Sequence, residues 1–352
     1  MTAPTRPEAA LPRLTELADP EDLGALGVVQ LKRMWSRTVR SREAAGAPPN
    51  DGPLEWDRDD LVIRGLGLNL REAYSLVHET FPRYDAFEAA VAARVGDELR
   101  PENIARLNAA LRGADVGAPP GVSDEPVLDA AALAFFAEHG YVVVPDAILP
   151  EQSAAAAAAV WTHVGADPAQ PDTWYGGPQG HSIWVPLVRH PTLDANRRAP
   201  RVHRAFAQLW QREDLWPNVD QTGFNPPERP GWRFPGPHLH WDVSLATPIP
   251  FGLQGILYLE DVAADQGAFT CVPGFHNGAE AWLAALAPDA DPRRQDLVDA
   301  LGAMPIAAPA GSLIIWHHAL PHGSSPNRAA RPRVVQYLQL APSRREMNPV
   351  WR

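Results

Sequence analysis

Cysteine is nearly absent from this chain of 352 residues, which contains only Cys271. A single thiol cannot form a disulfide within one chain, so a disulfide-stapled secreted scaffold is excluded and a reducing cytoplasm is the expected location. Because Cys271 lies in the apolar run 268–272, we expect a buried hydrophobic side chain there and not a nucleophile.

Long apolar runs and a secretory leader are also missing. No segment approaches the roughly 20 apolar residues that a membrane-spanning helix requires. Residues 1–4 lack the charged stretch and following apolar stretch of a leader. The chain has 31 Lys and Arg against 42 Asp and Glu, which gives a formal net charge of −11. Such an acidic chain has no electrostatic footprint for nucleic acid or an anionic membrane, so neither partner is expected.

The domain organisation follows from changes in composition along the chain. Residues 11 to 111 carry apolar side chains at helical intervals in several stretches, and residues 113–126 are rich in Gly and Pro. We therefore expect a helical N-terminal accessory region over residues 1–120 and a second domain over 121–352. The first region is interpreted as a helical cap, a homodimerisation element or a docking surface for a carrier, and the sequence leaves these open.

The second region begins with helix and strand signals, and its composition then changes. Apolar spacing predicts a helix over 128–139 that ends at Gly140, a buried strand over 141–144, and a helix from Pro150 to about residue 164. After residue 220, short apolar runs are separated by Pro and Gly; they are 252–259, 268–272, 312–316 and 334–340. Many short strands predict a mainly β sandwich or barrel with helices, interrupted by an insertion at 277–302.

Two histidines and one carboxylate in the second region have the character of a metal ligand set. If residues 240–242 are extended, His240 and Asp242 point to one side and Trp241 to the other. His322 follows the predicted strand 312–316 in a loop. Two histidines and a carboxylate on one face of an octahedral metal are the ligands of non-haem Fe(II) oxygenases. A catalytic zinc with an open position is also compatible with this set.

Other histidines lie close to these three in the sequence. His238 shares the predicted strand face with His240, and His317 and His318 precede His322. We interpret His238, His317 and His318 as core or supporting side chains.

Arg333 begins the apolar run 333–338. A guanidinium near the interior of a sheet is costly unless an anion pairs with it, and a bound carboxylate is the natural partner. Arg331 is a rival two residues earlier, but Pro332 disfavours regular pairing there, so Arg331 is interpreted as a rim charge. Ser324, two residues after His322, can add a hydroxyl contact.

Four segments together carry a resemblance to a known family. They are 135–145, 240–242, 265–276, and 322–327 with 331–333. In combination they resemble the phytanoyl-CoA dioxygenase family, over residues 125 to 345. The N-terminal helical region lies outside the resemblance.

The resemblance implies a fold, cofactors and residue roles. The fold is a double-stranded β-helix (jelly-roll, cupin-like) core flanked by helices, and the cofactors are Fe(II), 2-oxoglutarate and O2. By this likeness His240, Asp242 and His322 bind iron. Residues expected to hold 2-oxoglutarate are Arg333 and Ser324, with Gln254 and Gln221 as weaker candidates.

The implied activity is hydroxylation of an unactivated carbon in a small organic metabolite, with release of succinate and CO2. Asp242 argues against halogenation and for hydroxylation, desaturation or ring formation, because related halogenases carry a small residue at that position. Trp232, Trp241 and Trp316 are candidates for contact with the substrate. Two alternatives remain, namely a cupin-like metalloenzyme that does not use 2-oxoglutarate and a non-catalytic jelly-roll binding protein.

Overall fold

Two compact units, Met1–Val116 and Gly117–Arg352, organise the computed structural model of the chain. The structure describes residues 16–43, 53–176, 183–287, 289–348 and 350–352. The division between the units lies inside the Gly- and Pro-rich segment 113–126. The first part of the predicted helical region, residues 11–15, lies outside the described residues.

Helices form the described part of the first unit. They are α1 Leu31–Glu43, α2 Pro53–Gly65, α3 Leu70–Thr80, α4 Tyr84–Arg94 and α5 Pro101–Leu111. A capping box begins α3: the Asn69 side chain accepts from the Glu72 N–H, and the Glu72 carboxylate accepts from the Asn69 N–H. Each bond satisfies an amide that would otherwise lack a partner at the start of a helix. Proline at the first position of α5 also suits a helix start.

The second unit opens as its sequence predicts. Helix α6 (Ala130–His139) ends at Gly140, which has a left-handed φ of 75°. Strand β1 (Tyr141–Val144) and helix α7 (Pro150–Val164) follow. A Cβ at Gly140 would lie 2.5 Å from Nδ1 of His276. Both the left-handed backbone and the close contact therefore require glycine at this helix end.

The remaining strands are short and pair antiparallel. They are β2 Trp184–Val185, β3 Leu215–Pro217, β4 Thr222–Asn225, β5 Leu253–Tyr258, β6 Phe269–Cys271, β7 Met304–Ile306, β8 Leu313–His317, β9 His322–Ser324, β10 Arg333–Tyr337 and β11 Leu340–Pro342. Six form one sheet in the order β1-β8-β5-β10-β4-β2, and three form a second sheet in the order β7-β6-β9. Strands β11 and β3 make a separate pair.

The six-stranded and three-stranded sheets share one apolar cluster. Ile256, Ile314 and Val335 from the larger sheet pack in the same cluster as Phe269 and Cys271 from the smaller one. Cys271 is fully buried, as predicted, and burial raises the pKa of its thiol to about 12.

Tyr258 ties the two sheets together by hydrogen bonds. It lies on β5, its hydroxyl donates to the Ile306 carbonyl (2.8 Å), and it accepts from the Phe269 N–H (2.9 Å). These two bonds satisfy a fully buried hydroxyl at the point where the sheets face each other.

Helices contribute a second, larger apolar cluster of this unit. Helix α7 packs there with α8 (Pro191–Arg197) and α9 (Pro200–Trp210). The helices contribute Val160, Leu193 and Phe206, and the six-stranded sheet contributes Leu257 and Ile315. Burial of this cluster and of the shared inter-sheet cluster fixes the larger sheet from both faces.

A mixture of helices and antiparallel strands replaces the expected mainly β fold. The predicted insertion contains α10 (Phe275–Ala285) and α11 (Gln295–Asp299). Among the described residues more lie in helices than in strands, because the strands are only two to six residues long. None of the helices in the described part of the chain has the length and apolar character to cross a membrane.

Candidate functional site

A backbone bridge holds the two histidines of the predicted ligand set together. The His240 N–H donates to the His322 carbonyl (2.9 Å), and the His322 N–H donates to the His240 carbonyl (3.0 Å). The imidazole centroids are 4.6 Å apart. The expected strand at 240–242 is wrong, since His240 forms an isolated bridge, and the expected loop at His322 is wrong, since His322 opens β9. Pro235 and Pro237 lack the N–H groups that a regular ladder needs.

Backbone carbonyl groups orient both imidazoles. Nδ1 of His240 lies 2.8 Å from the His238 carbonyl, and Nδ1 of His322 lies 3.0 Å from the Leu320 carbonyl. A carbonyl can only accept, so Nδ1 carries a proton in each ring, and in the neutral imidazole Nε2 keeps its lone pair. Both Nε2 atoms lie 3.3 Å from a carboxylate oxygen of Asp242. Three electron-pair donors therefore converge within 4.8 Å of one another.

The electrostatics of this triad favour positive charge at the point of convergence. Burial alone would raise the pKa of Asp242, but the imidazoles of His240 and His322 outweigh burial and hold that pKa well below its usual range. Burial alone would lower the pKa of His240, and contact with Asp242 outweighs this and raises it. The carboxylate stays charged, so it can serve as a ligand for a cation.

Trp241 anchors the segment that carries the two upstream ligands. Its side chain is 3% exposed, and its Nε1–H donates to the Ala319 carbonyl (2.9 Å). It packs against Phe275 and Trp282 of α10. As the sequence predicted, it points away from the side shared by its two neighbours. This packing fixes the backbone from which the ligands project.

Arg293, between α10 and α11, clasps the same backbone. Its Nη1 donates to the Trp241 carbonyl (2.8 Å), and its Nη2 donates to the Val243 carbonyl (2.6 Å). These residues flank Asp242 on both sides. Nη2 also donates to the Arg352 carbonyl (2.9 Å). One planar guanidinium thus fixes the segment that presents the carboxylate.

Gly323 permits the close approach of the histidine-bearing segment to β9. A Cβ at this position would lie 2.6 Å from the His238 carbonyl oxygen and 3.0 Å from that of Pro237. Neither backbone atom can give way easily. The neighbouring Ser324 N–H donates to the Pro237 carbonyl (3.0 Å). Glycine is therefore needed here if the two histidines are to meet.

Arg333 lies fully buried at the start of β10 with most of its hydrogen-bonding capacity unused. Its Nη1 donates to Oγ of Ser324 (2.9 Å), whereas Nε and Nη2 have no partner. Ser324 lines a cavity of about 220 Å³ that Asp242 and His322 also line. A buried guanidinium with two unpaired nitrogens is costly, and an anion bound at this edge would supply the missing acceptors.

Most of the predicted site residues meet at this cavity. Its lining includes His240, Asp242, His322, Ser324, Gln254, Gln221 and Trp316, with Arg333 behind Ser324. Gln254, which the sequence analysis assigned to the cosubstrate, instead contacts the proposed metal ligand. Its Nε2 donates to Asp242 Oδ2 (2.8 Å). This bond turns the amide oxygen away from the carboxylate, and that oxygen is buried without a partner.

Two of the three tryptophans predicted to contact the substrate do not line the cavity. Trp241 is packed behind the ligand segment, as described above. Trp232 pairs with Arg229 through the backbone, and its ring lies 5.9 Å from that of Tyr175. Only Trp316 keeps the predicted position, because it lies on the inner face of β8.

The remaining histidines and the rival arginine stand outside the triad. His317 contacts the ring of His276 (5.2 Å), and Nε2 of His318 contacts the Pro250 carbonyl. His238 contributes its backbone carbonyl, and its side chain is exposed. Arg331 is exposed on a loop, as predicted.

Sequence reasoning missed Asp220 and Arg293. Asp220 precedes β4 and lines the cavity. Arg293 lies in the insertion 277–302, more than fifty residues from Trp241. Neither residue belongs to a motif, since both reach the site only through tertiary packing. The sequence signal for Asp220 is its position next to Gln221, a candidate contact for 2-oxoglutarate. Arg293 has no such signal.

Comparison with known proteins agrees with the motifs. The family model described as phytanoyl-CoA dioxygenase (PhyH) matches residues 136–335, which is more than half of the chain. A Dictyostelium discoideum protein named for the same family is 24% identical over 205 residues, or 47% of this chain. That match spans 58% of the length of the Dictyostelium protein.

Solved structures show weaker likeness. The non-haem alpha-ketoglutarate-dependent carbocyclase SnoK of nogalamycin biosynthesis is 19% identical with a TM-score of 0.45, over 63% of this chain and 87% of that one. EctD from S. alaskensis with bound Fe is 20% identical with a TM-score of 0.44, over 62% and 78%. The assignment rests on the sequence match over residues 136–335. On that match, the chain belongs to the phytanoyl-CoA dioxygenase family.

Proposed function

We propose that this protein is an Fe(II)- and 2-oxoglutarate-dependent dioxygenase that hydroxylates an unactivated carbon of a small organic metabolite. The observation that carries the proposal is the fully buried Arg333, whose Nε and Nη2 lack partners beside a cavity lined by the triad. Family membership supports it. We also propose that the two facing sheets are the halves of a double-stranded β-helix, which their shared apolar cluster supports.

The triad suits a divalent metal such as Fe(II). His240, Asp242 and His322 would hold the metal through Nε2 and carboxylate oxygens that already converge. Carbonyl groups on Nδ1 fix both tautomers, as is usual around metal-bound histidines. Three protein ligands leave positions free for further ligands on an octahedral ion.

The Arg333 pocket suits the distal carboxylate of 2-oxoglutarate. A guanidinium edge offers two parallel N–H donors, and a carboxylate accepts both. Ser324 already takes Nη1, which leaves Nε and Nη2 for the anion. Gln221 lines the same cavity and is proposed as a weaker contact.

The proposed reaction converts 2-oxoglutarate, O2 and a C–H bond into succinate, CO2 and an alcohol. Bound iron supplies the activation of dioxygen, and the chain supplies position and shielding. Asp242 is held by Gln254 and by the two imidazoles, so the carboxylate stays a ligand. Trp316 and Phe269 give the cavity an apolar wall beside the polar site.

The roles of the wider chain remain predictions. Residues 1–120 are proposed as an accessory region that supports a homodimer or docks a carrier. A small-molecule substrate, the absence of nucleic-acid and membrane partners, and a cytoplasmic location are expected from the acidic composition and the single cysteine.

Anaerobic titration tests the function directly. Addition of Fe(II) and then 2-oxoglutarate to metal-free protein should produce a weak visible charge-transfer band, and admission of O2 should release succinate. Asp242→Ala should abolish both signals, because the variant removes a metal ligand. Asp261→Ala, a carboxylate outside this cavity, is the matched control and should keep both.

Two other results of this titration would contradict the proposal. Folded, iron-loaded protein without the band would contradict the proposal and favour a cupin-like metalloenzyme that does not use 2-oxoglutarate. Failure to bind Fe(II) at all would favour a non-catalytic binding protein.

A further inference from the structure

We propose that the substrate carries a protonated amine that pairs with the carboxylate of Asp220 on the cavity wall. This inference rests on the proposed function and names the substrate class of the same site. It follows from three features of the cavity: a carboxylate without a salt bridge, the separation of donors from acceptors, and the balance of charge.

Asp220 lines the cavity; the charge of Arg197 acts on its carboxylate, but no salt bridge joins the two side chains. Its Oδ1 accepts from the Gln221 N–H (2.7 Å), and no salt bridge to it occurs among the described residues. Arg197 is nearby, but its Nη2 donates to the backbone carbonyl of Asp220 (2.6 Å). The charge of Arg197 is matched by Asp194 at 2.7 Å. The Asp220 carboxylate therefore has room for another donor.

Unused acceptors and unused donors lie at different places around the cavity. The unused donors are Nε and Nη2 of Arg333, behind Ser324. The acceptors with spare capacity are the Asp220 carboxylate, which accepts only the Gln221 N–H, and the Oε1 of Gln254, which has no partner. The Arg333 donors can bind an anion, whereas the Asp220 and Gln254 acceptors can bind a molecule with N–H groups. One ligand chemistry does not satisfy both sets.

The charge balance of the loaded site leads to the same conclusion. A metal dication and Arg333 supply three positive charges, and Asp242 and the dianionic cosubstrate supply three negative ones, so these groups cancel. Arg197 is matched by Asp194, and Arg293, whose charge acts on Asp242, lies outside the cavity lining. Asp220 then leaves one negative charge in a half-buried site. Among the described residues that line the cavity, none is Lys or Arg. A cationic substrate would complete the balance.

The surroundings of Asp220 support a small amine. Burial raises the pKa of this carboxyl, the Gln221 N–H and the Arg197 charge oppose that increase in part, and the Asp242 carboxylate adds to it. An ammonium group would offset the effects of burial and of Asp242. Trp184 lines the same cavity and offers an aromatic surface for the carbon skeleton or the cation. The cavity volume of about 220 Å³ is below the roughly 300 Å³ of sites for drug-sized ligands, so the buried part of the substrate is small.

Matched amine and amide probes test this proposal. Cyclohexylamine, benzylamine and piperidine are each compared with their N-acetyl derivatives for binding to anaerobic protein loaded with Fe(II) and 2-oxoglutarate. Equilibrium dialysis gives the affinities. We expect the amines to bind roughly tenfold to a hundredfold more tightly, the range of a hydrogen-bonded charge pair. Asp220→Asn should remove this preference. Asp124→Asn, an exposed carboxylate outside the cavity, should retain it.

Two results would overturn the proposal. One is equal binding of the amines and their N-acetyl forms to the unaltered protein, which is decisive even if Asp220→Asn does not fold. The other is an unchanged preference in folded Asp220→Asn. Either result in protein that shows the 2-oxoglutarate band contradicts the amine inference alone. Absence of the band contradicts the proposed function instead.

Discussion

Arg333 combines a high cost of burial with a clear chemical use. Its side chain is completely buried, yet only Nη1 has a partner. A charge in this state weakens the ligand-free protein and strengthens the ligand-bound one, because the anion supplies the missing hydrogen bonds. The stability of the fold and the affinity for the cosubstrate should therefore respond in opposite directions when this side chain is removed.

Arg333→Met tests that opposition. We expect the free energy of unfolding without ligand to stay the same or to rise, since an uncompensated charge is replaced by an apolar chain. Affinity for 2-oxoglutarate should fall by at least about a hundredfold, the equivalent of two hydrogen bonds to a charged group. Urea unfolding and titration of the visible band measure the two quantities. Arg331→Met, two residues earlier and exposed, is the control, and a larger loss of affinity there would refute the assignment.

Among the structural elements, the insertion with α10 and α11 contacts the segment of the proposed metal ligands through Arg293. Three of its hydrogen bonds end on backbone carbonyls, two of them on the neighbours of Asp242. Phe275 and Trp282 of α10 also pack against Trp241. The insertion thus supports the segment 240–242, which pairs with β9 through a single bridge between His240 and His322.

Arg293→Gln should therefore weaken metal binding. We expect a roughly tenfold to hundredfold loss of Fe(II) affinity, which is typical when a supporting partner of a metal ligand is removed. Chelator competition measures the affinity, and tryptophan fluorescence reports whether Trp241 gains access to solvent. Arg294→Gln is a matched control, because its neighbouring guanidinium is exposed and pairs with Asp296. Equal affinities in the two variants would show that the insertion does not support the ligand loop.

At the scale of the whole molecule, stability depends on pH through histidines that the triad does not use. Burial lowers the pKa of His317 to about 3 and that of His318 to about 4, from an ordinary value of 6.5. The unfolded chain binds protons at these residues below pH 6.5, whereas the folded chain does not until the lower values are reached. Above pH 6.5 these two histidines therefore do not reduce the free energy of unfolding. We expect their effect to reduce it as the pH drops from 6.5, down to about 4 for His318 and about 3 for His317.

His318→Gln should flatten this dependence. The glutamine amide can still donate to the Pro250 carbonyl, but it does not titrate. As the pH drops, the free energy of unfolding of the metal-free protein should fall less steeply in His318→Gln than in the unaltered protein. The difference should be up to about 1.4 kcal/mol per pH unit. Urea unfolding at several pH values provides the measurement. The exposed His238 provides the control variant, His238→Gln. Parallel pH profiles for the unaltered protein and His318→Gln would contradict the prediction.

Local sequence signals were sufficient for several elements. Gly140 ends α6 because glycine accepts the left-handed conformation, and Pro150 begins α7 because its missing N–H costs nothing there. Short apolar runs between Pro and Gly correctly indicated β5, β6, β8 and β10. Residue type also marked His240, Asp242 and His322 as candidate metal ligands and Arg333 as a candidate anion clamp, because metal ligands and anion clamps come from few side chains.

Only the tertiary structure decided how these residues are used. Contact between His240 and His322 depends on a backbone bridge and on the missing Cβ of Gly323, which no local pattern encodes. Gln254 turns toward Asp242, and Asp220 joins the cavity, because distant strands pair side by side. Residue chemistry is local and appears in the sequence, whereas the partners of a buried group depend on long-range packing. The sequence by itself therefore determined the family and the candidate ligands, and the fold decided which polar groups remain unpaired and so what they can bind.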